Sequence, residues 1–240
     1  MRAIGVIGPK NSGKTTLITD IVKKLKDMDY SVAVIKHSGE GISFDKKDSD
    51  TDKFRKYADE VVFSSDYETV FFSKNTDDDL YNIMSKLDYD FVIIEGFKEK
   101  LKELNIPKIL MVVEDIGLEY GDSHTVRVIK DYNYNIEEII RDVLEKSIIP
   151  SYNLNCGHCG FNCKLFVEEV ISDNVKWNDC VLTTGLKLKV NGKLLPVNPF
   201  VSKIIINTLK GMISTLKGGE NPKSIEIVIE NLMKKKNISY

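Results

Sequence analysis

The chain has 240 residues, room for one large or two modest domains, and its 42% hydrophobic and 29% charged content is that of a folded globular protein. A net charge of −2 leaves no basic excess, so a dedicated nucleic-acid binder is not expected. No apolar run approaches the roughly 20 residues of a membrane span, and no signal pattern precedes the first apolar segment. The expected location is therefore the cytoplasm, where thiols serve as metal ligands or redox groups rather than disulfides.

The first apolar run, Ile4-Gly5-Val6-Ile7, reads as a short buried strand. Gly8-Pro9-Lys10-Asn11-Ser12-Gly13-Lys14-Thr15 then fits G-x-x-x-x-G-K-[ST] without a mismatch. From Thr16 to Met28, Leu17, Ile18, Ile21, Val22 and Leu25 recur at helical spacing. The motif thus stands between a strand and a helix, where its mechanism needs it. Inward-pointing N–H groups of the loop would cradle phosphate oxygens, and the helix N-terminus adds partial positive charge at the same place. Gly8, Pro9, Lys10, Asn11, Ser12, Gly13, Lys14, Thr15 and Thr16 are therefore the expected nucleotide-binding residues. Lys14 would reach the terminal phosphates and act in catalysis, and the Thr15 hydroxyl would bind Mg²⁺.

Strand and helix signals alternate onward to about residue 148. Val32 to Ile35 reads as a second strand, residues 39–53 as a polar mobile loop, and Phe54 to Ala58 as the start of a helix. Val61 to Phe63 and Thr69 to Phe72 read as strands, and Asp77 to Leu87 as a helix. Phe91 to Ile94 and Ile109 to Val113 are continuous apolar strands of the kind covered on both faces, which predicts a mostly parallel sheet. Val126 to Ile129 adds a strand, and Ile136 to Lys146 a closing helix. The expected fold class is α/β, a P-loop NTPase domain over residues 1–150.

Three further groups sit at the ends of these strands. Glu95 follows the apolar run Phe91 to Ile94 and is expected to hold Mg²⁺, directly or through water, as a catalytic residue; the structural alternative is a surface carboxylate. Lys36 and His37 end the second strand, where open α/β sheets bind ligands; they face the nucleotide or an anionic co-ligand, or form a solvated basic turn. Asp52 either caps the next helix or joins the Mg²⁺ shell.

Together these residues resemble the molybdopterin-guanine dinucleotide biosynthesis protein B family. The likeness lies in the phosphate loop from residue 8, Lys36-His37, Asp50-Thr51-Asp52-Lys53-Phe54-Arg55, Glu95-Gly96-Phe97-Lys98 and Ile106-Pro107-Lys108-Ile109. It covers residues 1 to about 145. It implies a GTP-binding protein of weak hydrolytic activity, working beside a guanylyltransferase that attaches GMP to molybdopterin. Molybdopterin or an apo-enzyme is a further partner, and the oligomeric state, a homodimer among the options, is left open. Two departures stand out. Ser38-Gly39 follows the Lys-His pair, where members of the family often carry more histidines, and no Asn-Lys-x-Asp segment reads guanine. Asp115, just past the strand ending at Val113, is the candidate base reader.

Pro150 breaks the alternating pattern, and residues 151–240 are expected to form a small α+β metal-binding domain. Cys156, Cys159, Cys163 and Cys180 are spaced C-x2-C-x3-C-x16-C, with Gly157 and Gly160 letting backbone N–H groups approach sulfur. Three thiols within eight residues fit a [4Fe–4S] cluster better than the two separated pairs usual for Zn²⁺, which stays the alternative beside redox thiols. His158 either replaces one thiol or, as expected, points away. The segment resembles the cysteine-bearing extension of some archaeal members of the same family. Asn191-Gly192 marks a hairpin between Leu186 to Val190 and Lys193 to Val197, Phe200 to Leu216 reads as a helix, and Ile225 to Ile229 as a strand.

Two other function classes compete with the accessory GTPase. One is a metallocentre-assembly or redox-switched NTPase. The other is a small-molecule kinase, which the scarcity of arginine (Arg2, Arg55, Arg127 and Arg141) disfavours, since kinase lids are commonly arginine-rich.

Overall fold

A computed structural model describes residues 1–38, 45–46, 48–73, 80–148, 155–180, 185–186, 188–191, 193–195, 197–222 and 224–229. The central sheet has strands β1 (Arg2–Ile7), β2 (Val32–Lys36), β5 (Phe91–Glu95), β6 (Lys108–Val112) and β7 (Thr125–Lys130), in the order β2-β5-β1-β6-β7. Every pairing in it is parallel. The first helix, α1 (Lys14–Asp27), follows β1, and α5 (Ile136–Lys146) follows β7.

Alternation along the buried strands sorts side chains to two faces. Ile4 and Val6 of β1, Phe91 and Ile93 of β5, and Ile109 and Met111 of β6 form one core with Leu17, Ile21, Leu25, Ile139 and Val143 of α1 and α5. Ala3 and Ile7, Val92 and Ile94, and Leu110 and Val112 face the other way, against Leu80 and Met84 of α3 (Leu80–Ser85) and Leu101 of α4 (Lys98–Glu103). Gly5 lies on this second face, where a Cβ would stand 2.4 Å from Leu101 Cδ1, so its missing side chain is what lets α4 press onto β1.

The central strand is paired along nearly its whole length. β5 covers Arg2 to Val6 on one edge and β6 covers Gly5 to Ile7 on the other. Below β6, the chain leaving α5 completes that edge: Ala3 N donates to Ile148 O (2.7 Å) and Ile148 N to Ala3 O (3.3 Å). Arg2 adds a tie, donating to the carbonyls of Leu144 and Ser147 at the end of α5, where the helix dipole is negative.

The compact unit containing this sheet runs to Asn198, and Pro199–Tyr240 forms a second one. The cysteine region therefore packs with the sheet rather than apart from it. Helix α6 (Cys163–Ile171), which Asn162 caps by accepting from Leu165 N, buries Phe166, Val167 and Val170. Val167 joins the core cluster of Ala3, Leu80 and Ile148. Lys146 donates to Ile171 O at the helix end and pairs with Asp173 at 3.0 Å. Arg2 also stacks over Trp177, 4.2 Å from the ring centroid.

Several sequence expectations change. The helix expected from Phe54 is α2 (Asp50–Arg55); it begins earlier because Ser49, not Asp52, caps it, its hydroxyl accepting from Asp52 N. Part of the expected loop at 39–53 is thus helical. Strands β3 (Glu60–Ser64) and β4 (Thr69–Ser73) form a separate antiparallel hairpin. The helices α4 and α6 give weak periodic signals, α4 because it is one short run with only Leu101 buried. The Asn191 hairpin shrinks to β8 (Lys189–Val190) and β9 (Lys193–Leu194). Residues 225–229 are not a strand. In the second unit α7 (Pro199–Ile213) opens on proline, whose fixed φ suits a first turn.

A buried polar group joins α6 to the sheet. His124 is 2% exposed, neither of its ring nitrogens is hydrogen-bonded, and its Nε2 lies 4.0 Å from Glu168 Oε1. Beside it, Lys108 is ion-paired with Asp122, and Ser123 donates to Glu168. Burial pushes the His124 pKa below its ordinary 6.5, with Lys108 and Lys164 adding to the effect and Asp122 and Glu168 opposing it. The unfolded chain then takes up a proton near 6.5 that the folded chain refuses, so this stability is complete above that pH and falls as pH drops through it. Melting temperatures measured between about pH 7.5 and about pH 5.5 should fall, and the fall should shrink in His124→Leu. An unchanged pH slope in that variant would refute the assignment.

Candidate functional site

The phosphate loop follows β1 at the carboxyl edge of the sheet. Gly8 admits no side chain, since a Cβ would lie 2.4 Å from the Met111 carbonyl oxygen of β6. Asn11 (φ 63°) and Gly13 (φ 79°) both take left-handed backbone conformations, which turn successive N–H groups into the loop's hollow. Gly13 caps α1 and accepts from Leu17 N at 3.0 Å. Ser12 is buried, while Lys10, Thr15 and Thr16 face solvent.

Lys14 folds back over this hollow. Its Nζ donates to Pro9 O (2.5 Å) and Gly8 O (3.3 Å) and lies 3.5 Å from Ser12 Oγ. Burial lowers its pKa, Glu95 opposes that, and the positive charges of Lys98 and Lys36 reinforce it. An ammonium group kept close to carbonyl oxygens in a cationic surrounding is poised to accept an anion.

The strand register aligns the next groups. Val6 of β1 pairs with Glu95 of β5, and Glu95 pairs with Lys36 of β2. Glu95 therefore stands level with the start of the loop, its side chain 14% exposed and 3.2 Å from Lys36 Nζ. A cleft of about 470 Å³ is lined by Lys10, Asn11, Ser12, Gly13, Lys14, Thr15, Lys36, Glu95 and Tyr132. The structure thus gathers most of the expected nucleotide residues around one opening, with Gly8 and Pro9 in the loop behind it.

Next to this cleft, Gly96 (φ 91°) leaves room for the His37 backbone, whose oxygen would lie 3.2 Å from a Cβ there. Phe97 stacks on the His37 imidazole with ring centroids 4.2 Å apart. The Glu-Gly-Phe-Lys run therefore braces the end of β2 as well as presenting Glu95.

Thr16 and His37 do not line the cleft, and Asp52 and Asp115 are not brought to it. Asp52 lies on α2, accepts from Asp48 N (3.0 Å), and lines a separate depression of about 210 Å³ with Arg55 and Phe72. Asp115 is 87% exposed and pairs with Lys130 at 3.6 Å. Tyr132 is the cleft residue that sequence reasoning missed. It follows the carboxyl end of β7, a position type that flags ligand contact in open sheets, but it carries no motif.

The cysteine segment presents four half-buried thiols. Gly157 (φ 71°) and Gly160 (φ 84°) shape the turn holding the first two, closed by Gly160 N donating to Gly157 O (3.0 Å). Asn155 N donates to Cys163 Sγ at 3.3 Å, the backbone N–H to sulfur contact that tunes thiolate ligands, and Cys163 N returns a bond to Asn155 Oδ1. Cys159 Sγ donates to Phe161 O at 3.6 Å. The donor set suits an iron–sulfur cluster or Zn²⁺ in kind. Among the described residues no three cysteine, histidine or acidic side chains converge on one point.

Comparison with known proteins agrees with this layout. A family model described as Molybdopterin guanine dinucleotide synthesis protein B matches residues 3–130, and one described as "Putative Fe-S cluster" matches residues 153–182. The "Putative molybdopterin-guanine dinucleotide biosynthesis adapter protein" of Methanocaldococcus jannaschii is 49% identical over 232 residues, 96% of this chain and 98% of that protein. The "Molybdopterin-guanine dinucleotide biosynthesis adapter protein" of Haemophilus influenzae is 26% identical over 147 residues, 58% of this chain and 80% of that protein. A solved structure of molybdopterin-guanine biosynthesis protein B is 24% identical, covers 59% of this chain and 97% of that one, and aligns with a TM-score of 0.46. The phosphate loop, Lys36-His37 and Glu-Gly-Phe-Lys all lie inside a family match that spans more than half of the sequence: the chain belongs to the molybdopterin guanine dinucleotide synthesis protein B (MobB) family.

Proposed function

We propose that this protein is an adapter in molybdopterin guanine dinucleotide biosynthesis that binds GTP with Mg²⁺ in the cleft, hydrolyses it slowly, and works beside a guanylyltransferase. The observation that carries the nucleotide reading is the preformed loop, with Lys14 over its hollow and Glu95 level with its start. Anion binding at such a loop draws on backbone N–H groups and the α1 N-terminus, so it needs little rearrangement. Lys14 would exchange the Pro9 and Gly8 carbonyls for terminal phosphate oxygens. Thr15 and Glu95 would hold Mg²⁺, which supplies charge neutralisation at the β- and γ-phosphates. Lys36, which lines the cleft beside Glu95, would offer the phosphates a second positive charge.

Slow turnover follows from the lining. Transition-state charge in fast nucleotide hydrolases is met by an arginine, and attacking water is placed by a glutamine. Among the described residues no arginine lines the cleft, and the sequence contains no glutamine. The adapter role draws on the names of the two relatives, and the guanylyltransferase partner on what the family resemblance implies. For the cysteine segment we propose one [4Fe–4S] cluster held by Cys156, Cys159, Cys163 and Cys180, with Zn²⁺ as the alternative. When bound, the metal group would cross-link the turn before α6 to the Cys180 segment.

Three measurements test these assignments. Lys14→Ala should abolish GTP binding in calorimetry while the melting temperature holds; unchanged affinity would misplace the site, and ATP binding as tight as GTP would refute the guanine preference. Glu95→Gln should keep melting within a few degrees, because the lost ion pair is half solvated and worth about 0–1 kcal/mol, yet weaken Mg²⁺-dependent binding or turnover. A large loss of stability with unaltered nucleotide chemistry would make Glu95 structural. Protein prepared anaerobically should be brown, absorb near ~400 nm and carry about four iron and four sulfide per chain, with cluster yield falling in each Cys→Ser variant. Stoichiometric zinc without iron or sulfide would overturn the cluster and leave the nucleotide site standing.

A further inference from the structure

We propose that Tyr132 is the nucleoside wall of the cleft, its ring presenting a stacking face to the base of a bound purine nucleotide. The inference rests on the nucleotide reading above and adds where the nucleoside goes. The cleft has two flanks. Glu95 and Lys36 arrive from β5 and β2 on one side of β1, and Tyr132 from the far end of the sheet order, after β7. Terminal phosphates and Mg²⁺ belong with Lys14 and Glu95. A ligand longer than its phosphates must therefore leave along the loop, away from Glu95, and Tyr132 is the residue that borders that exit.

The ring is held firmly but left open. Its hydroxyl donates to Asn11 O at 2.5 Å, tying it to the left-handed residue of the loop. One ring edge lies against Gly13, where a Cβ would stand 2.5 Å from Tyr132 Cδ1 and 2.7 Å from Cε1. The residue is nonetheless 52% exposed. An aromatic side chain fixed at its tip and one edge, with half its surface in water, is what sequence-tolerant base stacking uses.

The backbone spends conformational freedom to put it there. Asp131 (φ 50°) and Tyr132 (φ 61°) are consecutive non-glycine residues in the left-handed region, which L-residues rarely adopt. Asp131 stabilises the turn from both ends: its N donates to Val112 O at 3.0 Å, and its carboxylate accepts from Glu114 N at 2.8 Å. The turn is thereby anchored to the end of β6, which also flanks Gly8 through Met111 O.

Calorimetry with Mg²⁺·GTP and with Mg²⁺·tripolyphosphate separates a nucleoside wall from a mere brace of the loop. Tyr132→Ala should weaken GTP roughly tenfold or more and change tripolyphosphate less than about twofold. Tyr132→Leu, which keeps bulk against Gly13 but has no π-face, should show the same split and serves if the alanine variant does not fold. Tyr132→Phe should stay within about threefold of wild type for both ligands. Equal weakening of GTP and tripolyphosphate in the leucine or alanine variant, or no weakening of either, would overturn the proposal while leaving the nucleotide site intact. Wild-type protein that binds neither ligand would refute the nucleotide reading, and the proposal with it.

Discussion

The parallel register of β1 with its neighbours is the constraint on which the candidate site depends. Val6, Glu95 and Lys36 occupy one row across three strands, so the Glu95 carboxylate and its lysine are level with the strand that feeds the loop. A one-residue slip of β5 would turn Glu95 to the other face and bury its charge in a helix-covered core, at a cost far above that of a lost surface contact. The run Phe91 to Ile94 is apolar on both faces, so the charges that bracket it, Asp90 and Glu95, are what penalise the slip. The chemistry at the strand end is thus held in place partly by the cost of burying its own charge.

Close approach is the second theme. Gly5, Gly8 and Gly13 each stand where a Cβ would collide, with Leu101, the Met111 carbonyl and Tyr132 respectively, and a Cβ on Gly96 would crowd His37 at 3.2 Å. Two of these contacts pack helix or strand against the loop's own strand; the other two seat an aromatic or imidazole ring beside the opening. The site is shaped as much by missing side chains as by present ones.

Legibility in the sequence followed the strength of each local signal. The phosphate loop, β1, α1, β5, β6 and α5 were readable because apolar periodicity and a dense motif coincide there. The antiparallel pairing of β3 and β4 apart from the sheet was not, because Val61 to Phe63 and Thr69 to Phe72 look like any apolar strands. Helix α4 hid behind Lys98-Glu99-Lys100-Leu101-Lys102-Glu103, which has one buried position and no period to detect. Ile225 to Ile229 has strand composition, but β-propensity expresses a fit to neighbours that composition does not supply. In the site, Asp52 and Asp115 were nominated by chain position and went elsewhere, Asp52 to a helix and Asp115 to Lys130. Tyr132 was invisible because its role comes from a backbone turn and a contact 121 positions away.

The antiparallel bridge between Ala3 and Ile148 sets where this protein can be divided. The family match over the first part ends at residue 130, which would suggest a nucleotide-binding fragment of that length. Such a piece would lack α5, stripping Ile139, Ile140 and Val143 from one face of the sheet. It would also leave the Ala3 amide and carbonyl facing no partner on that edge, and free Arg2 from the carbonyls that fix it. A fragment that keeps these contacts extends at least through Ile148, and a cut there still opens the face that α6 covers with Val167. The boundary of the family match at residue 130 thus falls inside one packed unit, which continues to Asn198.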